Sequence, residues 1–206
     1  MLRAKFKINT ITRTAGYDGE TVVANPVYSA DPASENHQFW KASPSGELKL
    51  HITNPEAVGK HLVWHLQQCG YDLSQGPTPA ELVIALRERA QTLKEIAEKS
   101  AVWFVPLTEY DSSAVAKHFK AEAQAPLAAM RERLAVLEPW APEPIHQVVK
   151  AVSEALGIGM GKIAQPLRVA ITGTAVSPDI GWTVYLCGRD EALRRIDAAI
   201  GMLPAA

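Results

Sequence analysis

The spacing of apolar residues changes near residue 60, and this change limits the folds that the chain can adopt. Apolar and polar residues alternate over residues 5–12 and 48–52, a period typical of half-buried β-strands. After His61 the apolar residues recur every three or four positions, which is the period of an amphipathic helix. We therefore predict an α+β fold, in which a small antiparallel β module over residues 1–58 precedes an all-α helical domain over residues 61–206.

Helical spacing is clearest in four stretches, residues 79–99, 127–137, 145–156 and 193–203. The second and third stretches follow Pro126 and Pro144, and proline is common in the first turn of a helix. Gly157 comes directly after the third stretch, where a glycine typically ends a helix. The pattern predicts five to seven helices, with the stripes forming the core.

Composition restricts the possible partners and the compartment. The chain has 21 Lys and Arg against 22 Asp and Glu, a formal net charge of −1. Proteins that hold nucleic acids mainly by charge are usually basic, so any RNA binding here must be local and dependent on shape. Two cysteines provide no disulfide framework, and no apolar run approaches the roughly 20 residues of a membrane-spanning helix. The start also lacks an apolar signal segment, so we predict a cytoplasmic protein.

Two patterns suggest ligand chemistry without meeting its requirements. The glycines of residues 157–162 resemble a phosphate loop, but Ile163 follows Lys162 where Ser or Thr is required. His61 and His65 have a spacing that suits a metal, but no third ligand accompanies them. A turn between helices and a metal-free histidine pair are the better interpretations. The sequence predicts no catalytic residues, no metal site and no cofactor.

Longer motifs in the second part resemble the C-terminal anticodon-binding region of bacterial glutamyl-tRNA synthetases, which are class I aminoacyl-tRNA synthetases. The most distinctive is GMGKIAQPLRVAITG, followed by a Ser-Pro pair. The motifs occupy residues 61–65, 71–77, 92–100, 159–173, 177–178 and 188–197. They follow the order of the family over about 145 residues, from near residue 61 to the end of the chain.

The resemblance implies an all-helical fold that recognises the anticodon of glutamate tRNA. In the family, the arginine of the Pro-Leu-Arg segment and the loop after the Thr-Gly pair lie against the anticodon bases. The corresponding residues here are Arg168, Ser177, Pro178, Asp179 and Ile180. Single-stranded bases are recognised by stacking and by hydrogen bonds to their edges, which a guanidinium and a loop backbone can provide.

Further cations are candidates for contacts with the tRNA backbone: Arg87, Arg89, Lys94 and Lys162. Scattered cations on helices usually form a solvated face, so their positions alone do not decide between the two roles. The loop also departs from the family pattern, because residues 179–181 are Asp-Ile-Gly where some members have Gly-Leu-Phe. A carboxylate beside RNA phosphates is repulsive, and a glycine cannot stack on a base.

The family's catalytic domain carries His-Ile-Gly-His-like and Lys-Met-Ser-Lys-Ser-like motifs that bind ATP, and neither motif occurs in this sequence. We therefore predict a tRNA-binding module that is not an enzyme by itself.

Residues 1–58 resemble small uncharacterised phage-encoded proteins, mainly through residues 5–8, 34–40 and 43–50. This resemblance predicts a fusion joined near residues 55–60. The alternative function is a folded structural or interaction remnant without specific RNA binding, whose protein partner is set by the N-terminal module.

Overall fold

A computed structural model describes the backbone of residues 6–13, 20–26 and 48–52, and residues 55–204 with their side chains. The three backbone segments are strands, β1 (Phe6–Arg13), β2 (Glu20–Pro26) and β3 (Leu48–Ile52). They pair antiparallel in the order β1-β2-β3. The register between β1 and β2 shifts between Ile8 and Thr10, as a β-bulge would shift it.

The predicted α+β fold class, with its small antiparallel β module, is wrong. From Pro55 to Pro204 the described chain is helix and loop without a strand, so the fold is all-α. The strands are short backbone segments for which no packed core is described, and they do not establish a β module. Alternation identifies extended backbone, but a fold class depends on the layers that bury a core. In the described side chains, helices and the loops between them build that core without a strand.

Ten α-helices lie between Pro55 and Pro204, against the five to seven that we predicted. They are α1 (Pro55–Gln68), α2 (Pro79–Leu86), α3 (Leu93–Lys99), α4 (Ala101–Phe104), α5 (Ser112–His118), α6 (Gln124–Ala135), α7 (Pro142–Leu156), α8 (Gly161–Thr172), α9 (Ile180–Cys187) and α10 (Arg189–Met202). None of these helices is long and apolar enough to cross a membrane.

The chain forms two compact units, of which the first comprises Met1–Gly70 and Thr78–Lys99. The division at residues 58–61 that we predicted from the sequence stays a prediction, as does the phage resemblance. Most residues that carry that resemblance lie outside the described residues. In the first unit α1 crosses α2 closely at Gly59, where an added Cβ would lie 3.0 Å from the Ala80 nitrogen.

The stripe over residues 79–99 is two helices rather than one. Thr78 begins α2 with a capping box, in which its side chain and that of Glu81 each bond the other's backbone N–H. A second cap follows within the same stripe, because the Glu95 N–H donates to Thr92 Oγ1 at 3.1 Å. Since such a cap satisfies the backbone donors of a helix start, the chain begins α3 anew instead of extending α2.

The second unit comprises Tyr71–Pro77 and Ser100–Ala206. The predicted stripes of α6 and α7 are confirmed, because Leu127, Met130, Ile145 and Val149 are fully buried in its core. Helix α7 ends at Gly157, which has a left-handed φ of 63° as the sequence predicted. Helix α8 runs through the centre of this core, and its side chains are buried on several faces: Ile163, Leu167, Val169, Ala170 and Ile171.

Candidate nucleic-acid interface

A loop over residues 173–179 leaves the end of α8 and leads into α9. It starts at Gly173, which has a φ of 73°, a conformation that residues with a Cβ rarely adopt. A Cβ at this position would also lie 2.7 Å from the Glu109 carbonyl oxygen. The Gly173 carbonyl accepts a hydrogen bond of 2.8 Å from the Asp111 N–H at the start of α5. The start of the loop is therefore fixed against α5.

Arg168 holds the other end of the loop. Its Nε donates to Ser177 Oγ at 2.7 Å, and its Nη2 donates to the Pro178 carbonyl at 3.2 Å. Ser177 Oγ also lies 2.8 Å from Thr183 Oγ1, and that hydroxyl donates to the Asp179 carbonyl at 2.9 Å. These bonds join α8, the loop and the first turn of α9 into one polar network.

The exposed surface of the loop differs from the residues predicted to contact bases. The predicted residues Ser177, Pro178 and Ile180 are buried, whereas Asp179 is exposed. Thr174 and Val176 are also exposed, Val176 to 76%, and neither was among the predicted residues. Thr174, Val176 and Asp179 therefore form the surface that a ligand reaches first, while the buried residues support it.

Asp179 is partnered rather than isolated. Its Oδ1 accepts from the Gly181 N–H at 2.8 Å and so caps the N-terminus of α9. Its Oδ2 lies 3.4 Å from His146 Nδ1 on α7. These contacts give the departure from Gly to Asp a structural reason, because the carboxylate interacts with a helix start and with an imidazole.

Gly181 lies at the closest approach of α7 and α9. A Cβ there would lie 2.3 Å from the Pro142 carbonyl oxygen, so no larger residue fits without moving one of the helices. The next residue, Trp182, is half-buried and makes an edge contact with Tyr185 at a centroid distance of 5.6 Å. The aromatic ring that position 181 lacks is therefore present at the next position, Trp182.

Three cations act on His118 at the end of α5, and neither of the two lysines among them was predicted as a contact. The pKa of His118 is lowered from its usual value by burial, and further by the positive charges of Lys117, Lys120 and Arg168. Lys117 and Lys120 are exposed and flank the end of α5. The signal in the sequence was the KHFK run at residues 117–120, but only the packing of α5 beside α8 brings it near Arg168.

The other predicted cations lie on another side of α8 or in the first unit. Lys162 is exposed on α8, but six residues separate it from Arg168, which rotates it by about 240° around the helix axis. Arg87, Arg89 and Lys94 belong to the first unit. Lys94 pairs with Glu98 at 3.6 Å on an exposed face, and the Arg89 carbonyl accepts from Lys99 Nζ.

Gln165 is a further polar residue near Arg168 in the chain, and it was not among the predicted residues. It lies on α8 three residues before Arg168, and its Oε1 is buried with no hydrogen-bond partner among the described residues. An unsatisfied buried acceptor costs free energy, and this oxygen is enclosed by the protein, so it is not part of the exposed surface. No group of three metal-binding side chains occurs in residues 55–204.

A family model for the anticodon binding domain matches residues 57–200. The chain belongs to this family. The anticodon binding domain is also similar to glutamate–tRNA ligases, with 59% identity over 158 residues to that of Stenotrophomonas maltophilia (strain R551-3) and 54% over 151 residues to that of Xylella fastidiosa (strain M12). These matches cover 75% and 73% of the chain but only 34% and 32% of the ligases.

Two solved structures share the fold of this anticodon binding domain. A glutamate tRNA ligase from Elizabethkingia meningosepticum CCUG26117, in complex with its amino acid, aligns with a TM-score of 0.66 at 24% identity over 73% of this chain and 30% of the ligase. A glutamate–tRNA synthetase from Elizabethkingia anophelis gives 0.62 at 22% identity over 82% and 30%. At this identity the likeness concerns the fold.

The comparisons confirm the predicted resemblance to glutamyl-tRNA synthetases. The chain spans about a third of the length of the curated ligases that it matches, and the matching part is the anticodon binding domain. The catalytic domain of the ligase is therefore absent from these 206 residues, as the missing ATP-binding motifs predicted.

Proposed function

We propose that this chain binds the anticodon loop of glutamate tRNA. The observation that carries the proposal is the 59% identity with a glutamate–tRNA ligase within the range matched by the anticodon binding domain model. That range includes Arg168 and the loop over residues 173–179. The cytoplasmic location predicted from the sequence is part of the same proposal, because it is based on the same assignment.

The geometry of the second unit supports this function. Thr174, Val176 and Asp179 form an exposed loop surface that is supported by buried hydrogen bonds. Such a surface suits unpaired bases, which proteins recognise by shape, stacking and edge contacts. Lys117 and Lys120 provide positive charge near Arg168, where the phosphates of a bound loop would be stabilised.

Because the net charge of the chain is only −1, the salt dependence of RNA binding is informative. Binding that depends mainly on charge would fall steeply with salt, whereas binding through base contacts retains its preference between RNAs. Glutamate tRNA and an unrelated tRNA should therefore be titrated against the full chain at two salt concentrations. We expect a preference for glutamate tRNA that persists at the higher salt. Equal and steeply salt-dependent binding of both would contradict the proposal and favour the interaction remnant, with a protein partner set by the N-terminal segment.

Replacement of Arg168 by alanine should weaken the binding of glutamate tRNA by about 1–3 kcal/mol, the scale of a good base contact. We expect Arg168→Lys to recover little of the loss, because lysine lacks the planar fork of donors. Affinities from the same titration, with melting curves of each variant, check this expectation.

A matched variant separates direct contact from support of the loop. Ser177 accepts from Arg168 Nε but is itself buried. Ser177→Ala therefore removes one hydrogen bond of the network but keeps the arginine side chain and its bond to the Pro178 carbonyl. If Arg168 contacts the RNA, Ser177→Ala should retain most of the affinity. An equal loss in both variants would assign Arg168 to positioning the loop, and unchanged affinity in Arg168→Ala would remove it from the site.

A further inference from the structure

A groove of about 520 Å³ lies beside the candidate loop, between the first half of α7 and the start of α9. Polar, charged and aromatic side chains line it: Glu143, His146, Gln147, Lys150, Asp179 and Trp182. Asp179 belongs both to this groove and to the exposed surface of the loop. A ligand that follows the loop surface therefore meets the groove next.

Trp182 differs from two other tryptophans of the second unit. The indole N–H of Trp103 donates to the Thr183 carbonyl, and that of Trp140 donates to the Tyr185 carbonyl, each at 3.2 Å. These two rings are thereby anchored to α9. Trp182 lines the groove, and its N–H has no hydrogen-bond partner among the residues described. Its ring is therefore available to a ligand, and aromatic rings stack well on bases.

The charged groups of the groove differ in how they are partnered. Glu143 Oε1 accepts from Gln147 Nε2 at 2.6 Å, and Asp179 is held by Gly181 and His146. Lys150 is exposed and forms no ion pair with any side chain in the described range. A flexible ammonium without a partner can bind a phosphate. The groove thus combines a stacking ring, a free cation and carboxylates that accept hydrogen bonds.

We infer that this groove binds one unpaired nucleotide and prefers a base with an exocyclic amino group over uracil. The inference deepens the proposed function, on which it rests. The base stacks on Trp182, the phosphate lies near Lys150, and the amino group donates to the carboxylate of Asp179 or Glu143. Carboxylates accept from the amino group of cytosine. Uracil has a carbonyl oxygen at that position, which would face the carboxylate with like partial charge.

Cytidine and uridine 5′-monophosphates form the sharpest test, because they share the sugar and the phosphate and differ only on one edge of the base. At C4 cytosine has an amino group and uracil a carbonyl, and at N3 cytosine has an acceptor and uracil an N–H donor. The full chain is labelled with ¹⁵N at its tryptophan indoles, and the signal of Trp182 is assigned with the Trp182→Phe variant. We expect cytidine monophosphate to shift this signal and to bind about tenfold more tightly than uridine monophosphate, within the usual range for one base contact. No shift with either nucleotide, or equal affinity for both, overturns the inference.

Variants separate the contributions of stacking and charge. Trp182→Ala should weaken cytidine monophosphate binding about tenfold, whereas Trp182→Phe should retain most of it because an aromatic ring remains. Lys150→Ala should lower the affinity for both nucleotides and leave their ratio unchanged. Equal losses in the alanine and phenylalanine variants would contradict stacking.

Binding of glutamate tRNA, measured on the same samples, distinguishes the failure of this inference from the failure of the proposed function. If the tRNA binds specifically but the Trp182 signal does not respond to cytidine monophosphate, the groove is not a nucleotide site and the proposed function stands. If cytidine monophosphate binds as expected but the two tRNAs bind equally, the groove is retained and the assignment to glutamate tRNA is lost.

Discussion

Replacement of Arg195 by alanine is expected to lower the free energy of unfolding by about 3 kcal/mol, since it removes a long buried side chain and leaves a buried carbonyl without its donor. Arg195 is only 3% exposed. Its Nε donates to Glu191 at 2.6 Å and its Nη1 to the Ile171 carbonyl at 2.6 Å. The variant leaves that carbonyl without this donor and removes a long side chain from beside the end of α8. Urea titration of both proteins measures the difference.

Arg194 provides the matched control, because it bonds the same carboxylate from an exposed position. Its Nε and Nη2 donate to Glu191 at 2.6 and 2.7 Å, but its side chain is 59% exposed. Exposed ion pairs contribute about 0–1 kcal/mol. Arg194→Ala should therefore lower the free energy of unfolding by no more than about 1 kcal/mol. Equal losses in the two variants would show that the contact with Glu191, rather than burial, determines the effect.

Acid should reduce the contribution of this cluster. The Arg194 guanidinium, followed by that of Arg195, lowers the pKa of Glu191 from 4.5 to about 2, against an opposing effect of burial. A carboxylate with a lowered pKa contributes stability above its unfolded pKa and loses it as the pH falls through the folded one. Arg194 remains in the Arg195→Ala variant and keeps its part of this lowering. The stability difference between the native chain and Arg195→Ala should therefore narrow between pH 4.5 and 2 by the part that Arg195 contributes. A difference that stays constant over this range would assign the loss to packing.

Apolar periodicity predicted the helices whose apolar stripes are long and regular. The stripes of α6 and α7 contain Leu127, Met130, Ile145 and Val149, all fully buried. The pattern failed where local polar contacts decide the backbone, because the cap at Thr92 divides residues 79–99 without interrupting the apolar spacing. Helix α8 was missed since its buried positions surround much of the helix, which removes the one-sided stripe that periodicity detects.

The fold class was wrong for a related reason. Alternation in residues 5–12 and 48–52 predicted strands, and β1 and β3 occupy this part of the chain. A strand does not become a module until its side chains bury a core with other elements. The described core contains no strand, so the all-α prediction for residues 61–206 is the part that holds, from Pro55 to Pro204.

The candidate site was found by resemblance more than by pattern. Motifs around Arg168 and Ser177 indicated the loop, and the two side chains are hydrogen-bonded. Burial was not predictable from the motifs, so Ser177 and Ile180 were expected to face a ligand although they are buried. His146 is 33 positions from Asp179, and only the packing of α7 against α9 brings the two within 3.4 Å. No local motif contains such a pair.

The substitution Gly181→Ala tests that packing directly. The new Cβ would lie 2.3 Å from the Pro142 carbonyl oxygen and 3.0 Å from Asp179 Oδ1. Because the first contact is with backbone, α7 and α9 must separate to relieve it. We expect a loss of about 3 kcal/mol in the free energy of unfolding, at the upper end of the usual cost of overpacking. Thermal and urea melts of the variant measure it.

Gly201 in α10 is the control, because a Cβ there meets no atom within 4 Å. Gly201→Ala should leave stability unchanged or raise it by up to about 1 kcal/mol, since alanine favours the helix.

The two glycine variants should also differ in their effect on ligand binding in the groove. Separation of α7 from α9 alters the distance between His146 and Asp179, so Gly181→Ala should weaken cytidine monophosphate binding even at temperatures where the variant stays folded. A folded Gly181→Ala protein with native stability would show that α7 and α9 do not approach this closely, and that the groove between them does not have the described width.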